Sequence, residues 1–264
     1  MHAVRLIAPG GPEQLVVEEV DVPTPEAGEI LVQVHAAAIT RDELTWPVDR
    51  LPATPSYEIS GTVAALGPGV ADLAIGEGVY ALLPFDRDGG AAEYAVLPST
   101  CAAPKPQALN HVESAAVPLA GLSAWQGLFE HGRLKRGERV LVTGAGGGVG
   151  HLAVQLAQSA GAEVVQAGES ELVFDTAGGD RLAQAQAPRI VSVAEEPPAP
   201  GIYFVVEPRR DQLLELARLI DEGTIRPAID SVFPLTAARA AFERVAARGK
   251  SGKVVLRIAQ ATTR

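Results

Sequence analysis

The stretch that decides the fold is "LVTGAGGGVGHLAVQLAQSAGAEVVQAGESELVFDTAGG", residues 141–179. It begins within an apolar strand that runs into a glycine-rich turn, and an apolar helical segment follows and ends at Gly161. Gly144 and Gly147 permit a tight turn and the close approach of a ligand, and Gly150 permits close packing of the helix. The free N–H groups at the start of such a helix bind a pyrophosphate. Strand, turn and helix together predict a Rossmann-type unit.

The connection between the next two predicted strands is too short for that unit. "EVVQA" (163–167) and "LVFDTA" (172–177) are separated only by residues 168–171. Four extended residues reach about 14 Å. Returning along a five-residue strand and stepping over two strand spacings requires about 20 Å, and parallel strands normally need a crossover of about a dozen residues. Residues 163–167 are therefore not a regular strand, or the segment is rearranged or swapped between subunits. In each case the outer, adenosine side lacks a helix and a strand.

The regions on either side of this unit differ in character. The first hundred residues read as short strands bounded by Gly, Pro and Asp, which predicts a β-barrel-like domain. From Asn110 the pattern becomes helical, with Asn110 placed as N-cap, Glu113 completing a capping box, and a break near Pro118. A helix closed by Gly223, a further helix and a final strand follow.

Composition excludes several classes of function. The net charge of -10 opposes binding to nucleic acid. No apolar run approaches the length of about 18 residues that spans a bilayer, and the N-terminus does not read as a signal peptide, so we expect a cytoplasmic protein without a membrane partner. The single cysteine, Cys101, excludes an intramolecular disulfide and a four-cysteine zinc site.

The sequence resembles the medium-chain dehydrogenase/reductase superfamily, in its zinc-free, quinone-oxidoreductase-like branch. The resemblance covers most of the chain in family order and is carried by "EILVQVHAAAITRDEL", "PSYEISGTVAALGPGV", "GVYALLPFDRDGGAAEYAVLP", "ESAAVPLAGLSAWQGLF", "RVLVTGAGGGVGHLAVQLA", "LVFDTAGGDRLA" and "KSGKVVLRI". It implies an α/β protein with a GroES-like β-barrel substrate domain and an abbreviated Rossmann-like domain. We assign 1–112 and 228–264 to the first domain and 113–227 to the second.

The resemblance also implies a cofactor and a substrate class. Members of this branch commonly use NADPH to reduce quinones, enones or enoyl thioesters, often as dimers, so we expect NADPH, a small conjugated carbonyl and a homodimer. Zinc-dependent relatives carry Cys near position 39 and His at position 57, where this chain has Ile39 and Tyr57, so no catalytic metal is expected. The cofactor-binding residues are predicted to be Gly144, Ala145, Gly147, Gly148, Val149, Gly150 and Thr176.

The candidate catalytic and substrate-binding residues are predicted to border a cleft between the two domains. Tyr57 is a candidate hydrogen-bond or proton donor to a carbonyl oxygen, and Thr40 and Asp42 are the other candidate catalytic residues. The predicted substrate-binding residues are Arg41, Trp46 and Ser123.

Three functions remain open from the sequence. The first is hydride transfer from NADPH to a conjugated carbonyl, which the glycine turn favours. The second is a redox-silent enzyme, a cyclase, isomerase or conjugate-addition catalyst with Tyr57 or Asp42 as acid or base, which the short connection favours. The third is a non-catalytic binding or regulatory module on the same scaffold.

Overall fold

A computed structural model describes residues 1–46 and 49–258. Two larger sheets organise these residues, one of seven strands and one of five, and a two-stranded hairpin stands beside them. The strands are β1 His2–Leu6, β2 Leu15–Glu19, β3 Glu29–Ile39, β4 Glu58–Leu66, β5 Gly78–Leu82, β6 Tyr94–Pro98, β7 Ala102–Pro104, β8 Arg139–Thr143, β9 Glu163–Val165, β10 Leu172–Asp175, β11 Arg189–Ser192, β12 Ile202–Tyr203, β13 Ile229–Pro234 and β14 Lys253–Arg257. The helices are α1 His111–Ala115, α2 Pro118–Trp125, α3 Gly150–Ser159, α4 Asp180–Ala183, α5 Arg210–Asp221 and α6 Ala238–Ala246.

The seven-stranded sheet combines both ends of the chain. Its order is β13-β14-β3-β4-β5-β7, with β6 paired to β3. Strand β14 runs antiparallel to β3, with Val254 opposite Ile39, and so returns the C-terminal segment to the N-terminal strands. This pairing is the one expected from the assignment of 228–264 to the first domain. The domain boundaries themselves stay a prediction, and residues 259–264 of that assignment lie outside the described residues.

The local helix signals of the sequence are confirmed. The Asn110 side chain accepts a hydrogen bond from the Glu113 N–H, and the Glu113 side chain accepts one from the Asn110 N–H, which completes the capping box. Helix α1 ends before Pro118, which begins α2. Gly161 and Gly223 follow α3 and α5 with φ of 79° and 75°, the left-handed conformation that glycine adopts without strain.

The five-stranded sheet is parallel throughout, in the order β12-β11-β10-β8-β9. A complete dinucleotide-binding sheet has six strands, with two beyond the first on the adenosine side. Here β9 is the edge strand on that side, and no further strand lies beyond it in the described part of the chain. For the described residues, the sheet therefore ends where the sequence led us to expect, and a truncation relative to related proteins stays a prediction.

The sequence led us to expect that the link to the next strand is too short for residues 163–167 to pair in parallel. That expectation is wrong because it assumed a strand of five residues. Only residues Glu163–Val165 form the strand, so 166–171 are free to join it to β10. Six extended residues reach about 20 Å, whereas the return along three residues and across two spacings needs about 14 Å. Of the alternatives considered, the first holds: residues 163–167 are not a regular strand of five, and neither rearrangement nor subunit exchange is required.

No helix within the described ranges is both long and apolar enough to cross a bilayer.

Two histidines stack where α1 covers the larger sheet. The rings of His35 and His111 have centroids 4.3 Å apart and planes within 9° of each other. Ser60 Oγ donates to the Val79 carbonyl, and it lies 2.8 Å from His111 Nδ1. Burial, followed by the charges of His35 and Lys105, lowers the pKa of His111 from 6.5 to about 4. The protein therefore holds His111 neutral at pH values where the unfolded chain carries a proton there.

This pair predicts a loss of stability on acidification. Between about pH 6.5 and 4 the unfolded state binds a proton that the folded His111 refuses, so stability is greatest above this window and falls as the pH drops through it. Because His111 is half-buried, we expect a contribution of roughly 1–2 kcal/mol after allowing for solvent screening. In urea denaturation, the free energy of unfolding of His111→Gln should decline less steeply across this window than that of the unsubstituted protein. Above pH 7 the difference between the two free energies should not change with pH. Parallel declines would contradict the assignment.

Candidate active site

In the glycine turn between β8 and α3, the helix packs closely against the backbone of the turn. Gly144 adopts a φ of 67°, and its carbonyl accepts a hydrogen bond of 2.8 Å from the Gly147 N–H. A Cβ on Gly150 would lie 2.2 Å from the Gly144 carbonyl oxygen, so only glycine lets α3 pack on the turn. The N–H groups of Val149 and Gly150 have no acceptor among residues 1–46 and 49–258. Free N–H groups at a helix N-terminus can bind an anion, and we call this turn with its two free N–H groups, Val149 and Gly150, the glycine cradle.

Hydrogen bonds connect the carboxyl ends of the neighbouring strands β8, β10 and β11 beside this turn. Asp175, at the end of β10, is fully buried and accepts hydrogen bonds from the hydroxyls of Thr143 and Ser192 and from the Gly178 N–H. Thr176 donates from its hydroxyl to the Thr143 carbonyl at 2.7 Å. The predicted cofactor residue Thr176 therefore lies against the glycine turn, in a segment that Asp175 fixes.

A buried ionic cluster stands on the other side of the turn. Lys253 Nζ forms an ion pair with Glu58, and it donates to Thr40 Oγ1 at 3.1 Å. The Thr40 hydroxyl in turn donates to Glu58 Oε1 at 3.3 Å. Glu58 is 0% exposed and Lys253 is 4% exposed. The cluster exists because β14 pairs with β3, which brings Lys253 to the end of the strand that Thr40 follows.

A second carboxyl, Glu43, is buried next to this cluster. Its oxygens accept hydrogen bonds from the backbone N–H groups of Thr40 at 3.1 Å and Ser56 at 3.2 Å. Burial is the dominant cause that raises the pKa of Glu43 to about 8, and the charge of Glu58 adds to it, while the two N–H groups and Lys253 act in the opposite direction. Glu43 is accordingly a largely protonated acid at pH 7.

The ionic cluster and the glycine turn are in contact. The Gly252 N–H donates to the Gly146 carbonyl at 3.0 Å, and a Cβ on Gly148 would lie 2.6 Å from Lys253 Cδ. The segment leading into β14 therefore rests directly on the glycine turn. The two domains meet at a point where an anion cradle adjoins a buried Lys–Glu pair.

Tyr57 lies in an aromatic group away from solvent. Its ring centroid is 5.7 Å from that of Trp46 and 5.3 Å from that of Phe85. Arg50 Nη2 donates to the Tyr57 hydroxyl at 2.8 Å and to the Phe85 carbonyl. Tyr57 is 0% exposed, and burial raises the pKa of its hydroxyl despite the neighbouring Arg50 charge.

The other predicted residues do not converge with Thr40. Asp42 is exposed in a left-handed conformation with φ of 64°, and its carbonyl accepts the Thr45 N–H. Arg41 is also exposed. Ser123 is buried inside α2 at 2% exposure. The catalytic roles of Tyr57, Thr40 and Asp42 and the substrate-binding roles of Arg41, Trp46 and Ser123 stay predictions.

Sequence reasoning missed Glu43, Glu58 and Asp175, and it missed the burial of Lys253. A signal existed for two of them, because Lys253 opens the apolar strand "KVVLRI" and Asp175 interrupts "LVFDTA". Charged residues are almost never fully buried unless they are paired, so a charge within such an apolar run predicts a buried partner. Glu43 carried no comparable signal in the sequence.

A strand–glycine turn–helix unit in a parallel sheet is typical of the dinucleotide-binding dehydrogenase class. Here that sheet lies beside a mainly antiparallel sheet. Comparison with known proteins agrees with that class. A family model described as the alcohol dehydrogenase GroES-like domain matches residues 26–107, and one described as zinc-binding dehydrogenase matches residues 148–256. The chain belongs to the medium-chain dehydrogenase/reductase superfamily, as a quinone-oxidoreductase-like oxidoreductase, and the predicted α/β fold with a GroES-like domain is confirmed.

Individual relatives span most of the chain. A probable zinc-binding oxidoreductase, mitochondrial, from Arthroderma benhamiae is 30% identical, covering 89% of this chain and 91% of that protein. An NADPH-dependent alkenal/one oxidoreductase, chloroplastic, from Arabidopsis thaliana is 28% identical, over 94% of this chain and 77% of that one. The quinone oxidoreductase from Coxiella burnetii shares the fold at a TM-score of 0.90 with 24% identity, covering 98% and 99% of the two chains.

Within the described residues, no group of three or more His, Cys, Asp or Glu side chains is arranged to hold a metal ion.

Proposed function

We propose that the protein reduces a polarised conjugated carbonyl, such as a quinone, enone or enoyl compound, by hydride transfer from NADPH and without zinc. The observation that carries the proposal is the open glycine cradle in contact with the Thr40–Glu58–Lys253 cluster. The alkenal/one oxidoreductase relative supports both the cofactor and the substrate class. Ile39 and Tyr57, at the positions where zinc-dependent relatives carry ligands, support independence from zinc.

The fit of the cofactor rests on the cradle. Every side chain beyond hydrogen would collide with backbone at Gly150, and the N–H groups of Val149 and Gly150 are open. These groups, with Gly147, Gly148 and Thr176 beside them, would hold the phosphates and the adjoining ribose. When bound, the nicotinamide ring supplies the hydride.

The protein's own side chains would orient the substrate and manage its charge. Thr40 is half-buried and fixed by Glu58 and Lys253, so its hydroxyl is a rigid polar group next to the buried ion pair. The positive charge of Lys253 lies 3.1 Å from that hydroxyl and favours negative charge that develops on a nearby substrate oxygen. Tyr57 has its own proton free to donate, because its oxygen accepts from Arg50. We therefore assign the orienting role to Thr40 and keep Tyr57 as the second proposed donor.

We also propose that the six-residue link 166–171 is a truncation relative to the family. The alignment with the Arthroderma protein spans 303 positions, more than the 264 residues of this chain, so it contains gaps on this side. The sheet that ends at β9 supports locating the missing strand and helix there.

The proposed truncation supports a second candidate function, that of an enzyme without redox chemistry. A redox-silent enzyme on this scaffold would use acid–base chemistry alone, and Glu43, with its pKa raised to about 8, is a buried acid available for it. The cytoplasmic location and the homodimer stay predictions. For the dimer, Ile202 and Tyr203 of edge strand β12 are 44% and 40% exposed.

Titration with NADPH separates the two functions. A ligand at a hundred times its dissociation constant adds about 2.7 kcal/mol of stability, which raises the melting temperature by about 5–10 °C. We expect that rise, together with NADPH oxidation in the presence of an alkenal or a quinone. No shift at millimolar NADPH, with turnover of a conjugated carbonyl in its absence, would replace the reductase by the redox-silent enzyme. Binding without any turnover would leave a binding module.

A further inference from the structure

The imidazole of His151 connects helix α3 to the segment that returns the chain to the larger sheet. His151 is half-buried in the first turn of α3, and its Nδ1 is 2.8 Å from the Gly147 carbonyl oxygen. On the other side of the ring, Nε2 accepts a hydrogen bond of 2.8 Å from the Ala228 N–H. Because Nε2 needs a free lone pair to accept that bond, the proton is on Nδ1 and is donated to Gly147. His151 is therefore neutral, in one tautomer, with both nitrogens bonded.

Ala228 carries this contact on to the ionic cluster. Its carbonyl accepts a hydrogen bond of 2.8 Å from the Lys253 N–H, and Lys253 Nζ donates to Thr40 Oγ1 at 3.1 Å. A Cβ on Gly252 would lie 2.3 Å from the Ala228 carbonyl oxygen, so the two backbones are in close contact. An unbroken series of contacts therefore runs from the glycine turn through His151 and Ala228 to Lys253.

A second side chain of α3 holds the same part of the chain, residues 226–228, which we call the return segment. Gln155 accepts the Arg226 N–H at 2.9 Å and donates to the Arg226 carbonyl at 3.0 Å. With the bond from Ala228 to His151, three hydrogen bonds join the return segment to side chains of α3. The return segment lies between α5 and β13, where the chain passes from the parallel sheet to the larger sheet. Of the two side chains that hold it, only His151 titrates.

We propose that His151 is a positioning residue for the reduction: through Ala228 it sets the place of Lys253 and Thr40 relative to the glycine turn. This inference rests on the proposed function and deepens it. The glycine turn belongs to the parallel sheet and Thr40 to the larger sheet, so a contact between the two sheets must fix the distance from the nicotinamide to the substrate. A misplacement of about 1 Å between reacting groups costs about a hundredfold in rate.

Only the neutral form of His151 makes this connection. A protonated imidazole is a donor at both nitrogens and cannot accept the Ala228 N–H. Burial lowers the pKa of His151 from 6.5, the neighbouring backbone of the glycine turn opposes this, and two lysine charges add to it. The connection is therefore complete at pH 7 and above, and it is lost as the pH falls below 6.5 through the pKa of the folded protein. The charged side chains around the ring are Lys250 and Lys253 at the start of β14, Asp230 of β13, and the Arg226–Glu113 pair beside the return segment.

Three variants separate a positioning role from a merely structural one. His151→Gln supplies a carboxamide that accepts the Ala228 N–H and donates to the Gly147 carbonyl but does not titrate. His151→Leu has a similar volume and makes neither bond. The control His2→Gln changes an exposed histidine of β1. NADPH oxidation by an alkenal is measured from pH 5.5 to pH 8 for these proteins and for the unsubstituted one, together with the dissociation constant of NADPH.

We expect the loss to fall on turnover. At pH 7.5 the kcat of His151→Leu should be about tenfold to a hundredfold lower, with NADPH binding within about threefold of the unsubstituted protein. His151→Gln should restore kcat to within about threefold. Below pH 6.5 the kcat of the unsubstituted protein and of His2→Gln should decline, whereas that of His151→Gln should not. A His151→Leu kcat within twofold of the unsubstituted value, a loss confined to NADPH binding, or the same acid decline in His151→Gln would each overturn the proposal.

Hydrogen exchange of the Ala228 amide gives a readout that needs no turnover. In the unsubstituted protein its protection factor should fall by up to about tenfold per pH unit below pH 6.5, and in His151→Gln it should stay constant. If NADPH is oxidised while protection of Ala228 does not change with pH, the proposal fails and the reductase stands. If protection changes as expected but no NADPH is oxidised, the proposed function fails, and the positioning role fails with it.

Discussion

Replacing Lys253 with methionine is expected to lower the free energy of unfolding by about 3–5 kcal/mol, because it leaves Glu58 as an uncompensated buried charge. Glu58 is 0% exposed, and its remaining partners would be the Thr40 hydroxyl and the Leu119 N–H at 3.1 Å. The methionine side chain preserves most of the volume, so lost packing contributes little. Urea denaturation at pH 7 gives the value directly.

Two companion variants isolate the charge. Lys135→Met changes an exposed lysine and should stay within about 0.5 kcal/mol of the parent. The double variant Lys253→Met with Glu58→Gln removes both charges and should recover part of the loss, since two neutral buried groups avoid the penalty of one unpaired ion. A loss below about 1 kcal/mol for Lys253→Met alone would show that the pair is not desolvated.

The substitution Gly150→Ala is expected to disrupt the glycine turn between β8 and α3. The new Cβ would lie 2.2 Å from the Gly144 carbonyl oxygen, 2.6 Å from the Gly144 carbonyl carbon and 2.8 Å from Ala145 Cα, all of them backbone atoms. Helix α3 must move away from the turn, at a cost of about 2–3 kcal/mol in the free energy of unfolding. Because the open N–H groups move with the helix, nucleotide affinity should fall by at least about tenfold.

A neighbouring glycine supplies the stability control. A Cβ on Gly146 would meet no atom within 4 Å, and its backbone is not in the left-handed region. Gly146→Ala should therefore unfold within about 0.5 kcal/mol of the parent. Equal unfolding free energies for Gly150→Ala and Gly146→Ala would contradict the close packing described for the turn.

Features that a few consecutive residues determine were predictable from the sequence. The capping box of Asn110 and Glu113, the helix-ending glycines and the strand–turn–helix unit at Gly144–Gly150 each depend on neighbouring residues, and each is found as predicted. The error at 163–167 arose because apolar character extends beyond the backbone pairing. Only three residues of that segment, Glu163–Val165, pair with β8, and the other two belong to the link that leads to β10.

The partners within the ionic cluster were not predictable because they are distant in the sequence. Thr40 and Lys253 are 213 positions apart, and only the antiparallel register of β14 on β3 brings them together. The sequence pattern near Thr40 directed attention to Arg41 and Asp42, which the turn at Glu43–Thr45 leaves exposed, while Glu43 points inward. Which of several consecutive polar residues is buried depends on the conformation of such a turn, here including the left-handed Asp42.

The central proposal is that the glycine turn binds the phosphates of NADPH although the parallel sheet ends at β9. Amide chemical shifts recorded by two-dimensional NMR while NADPH is added test it most directly. The account predicts that the amides of Val149 and Gly150 shift most strongly, that the amide of Gly252, which contacts the turn, shifts with them, and that residues 166–171 shift little. Saturating NADPH that leaves the amides of 144–150 unmoved would contradict it.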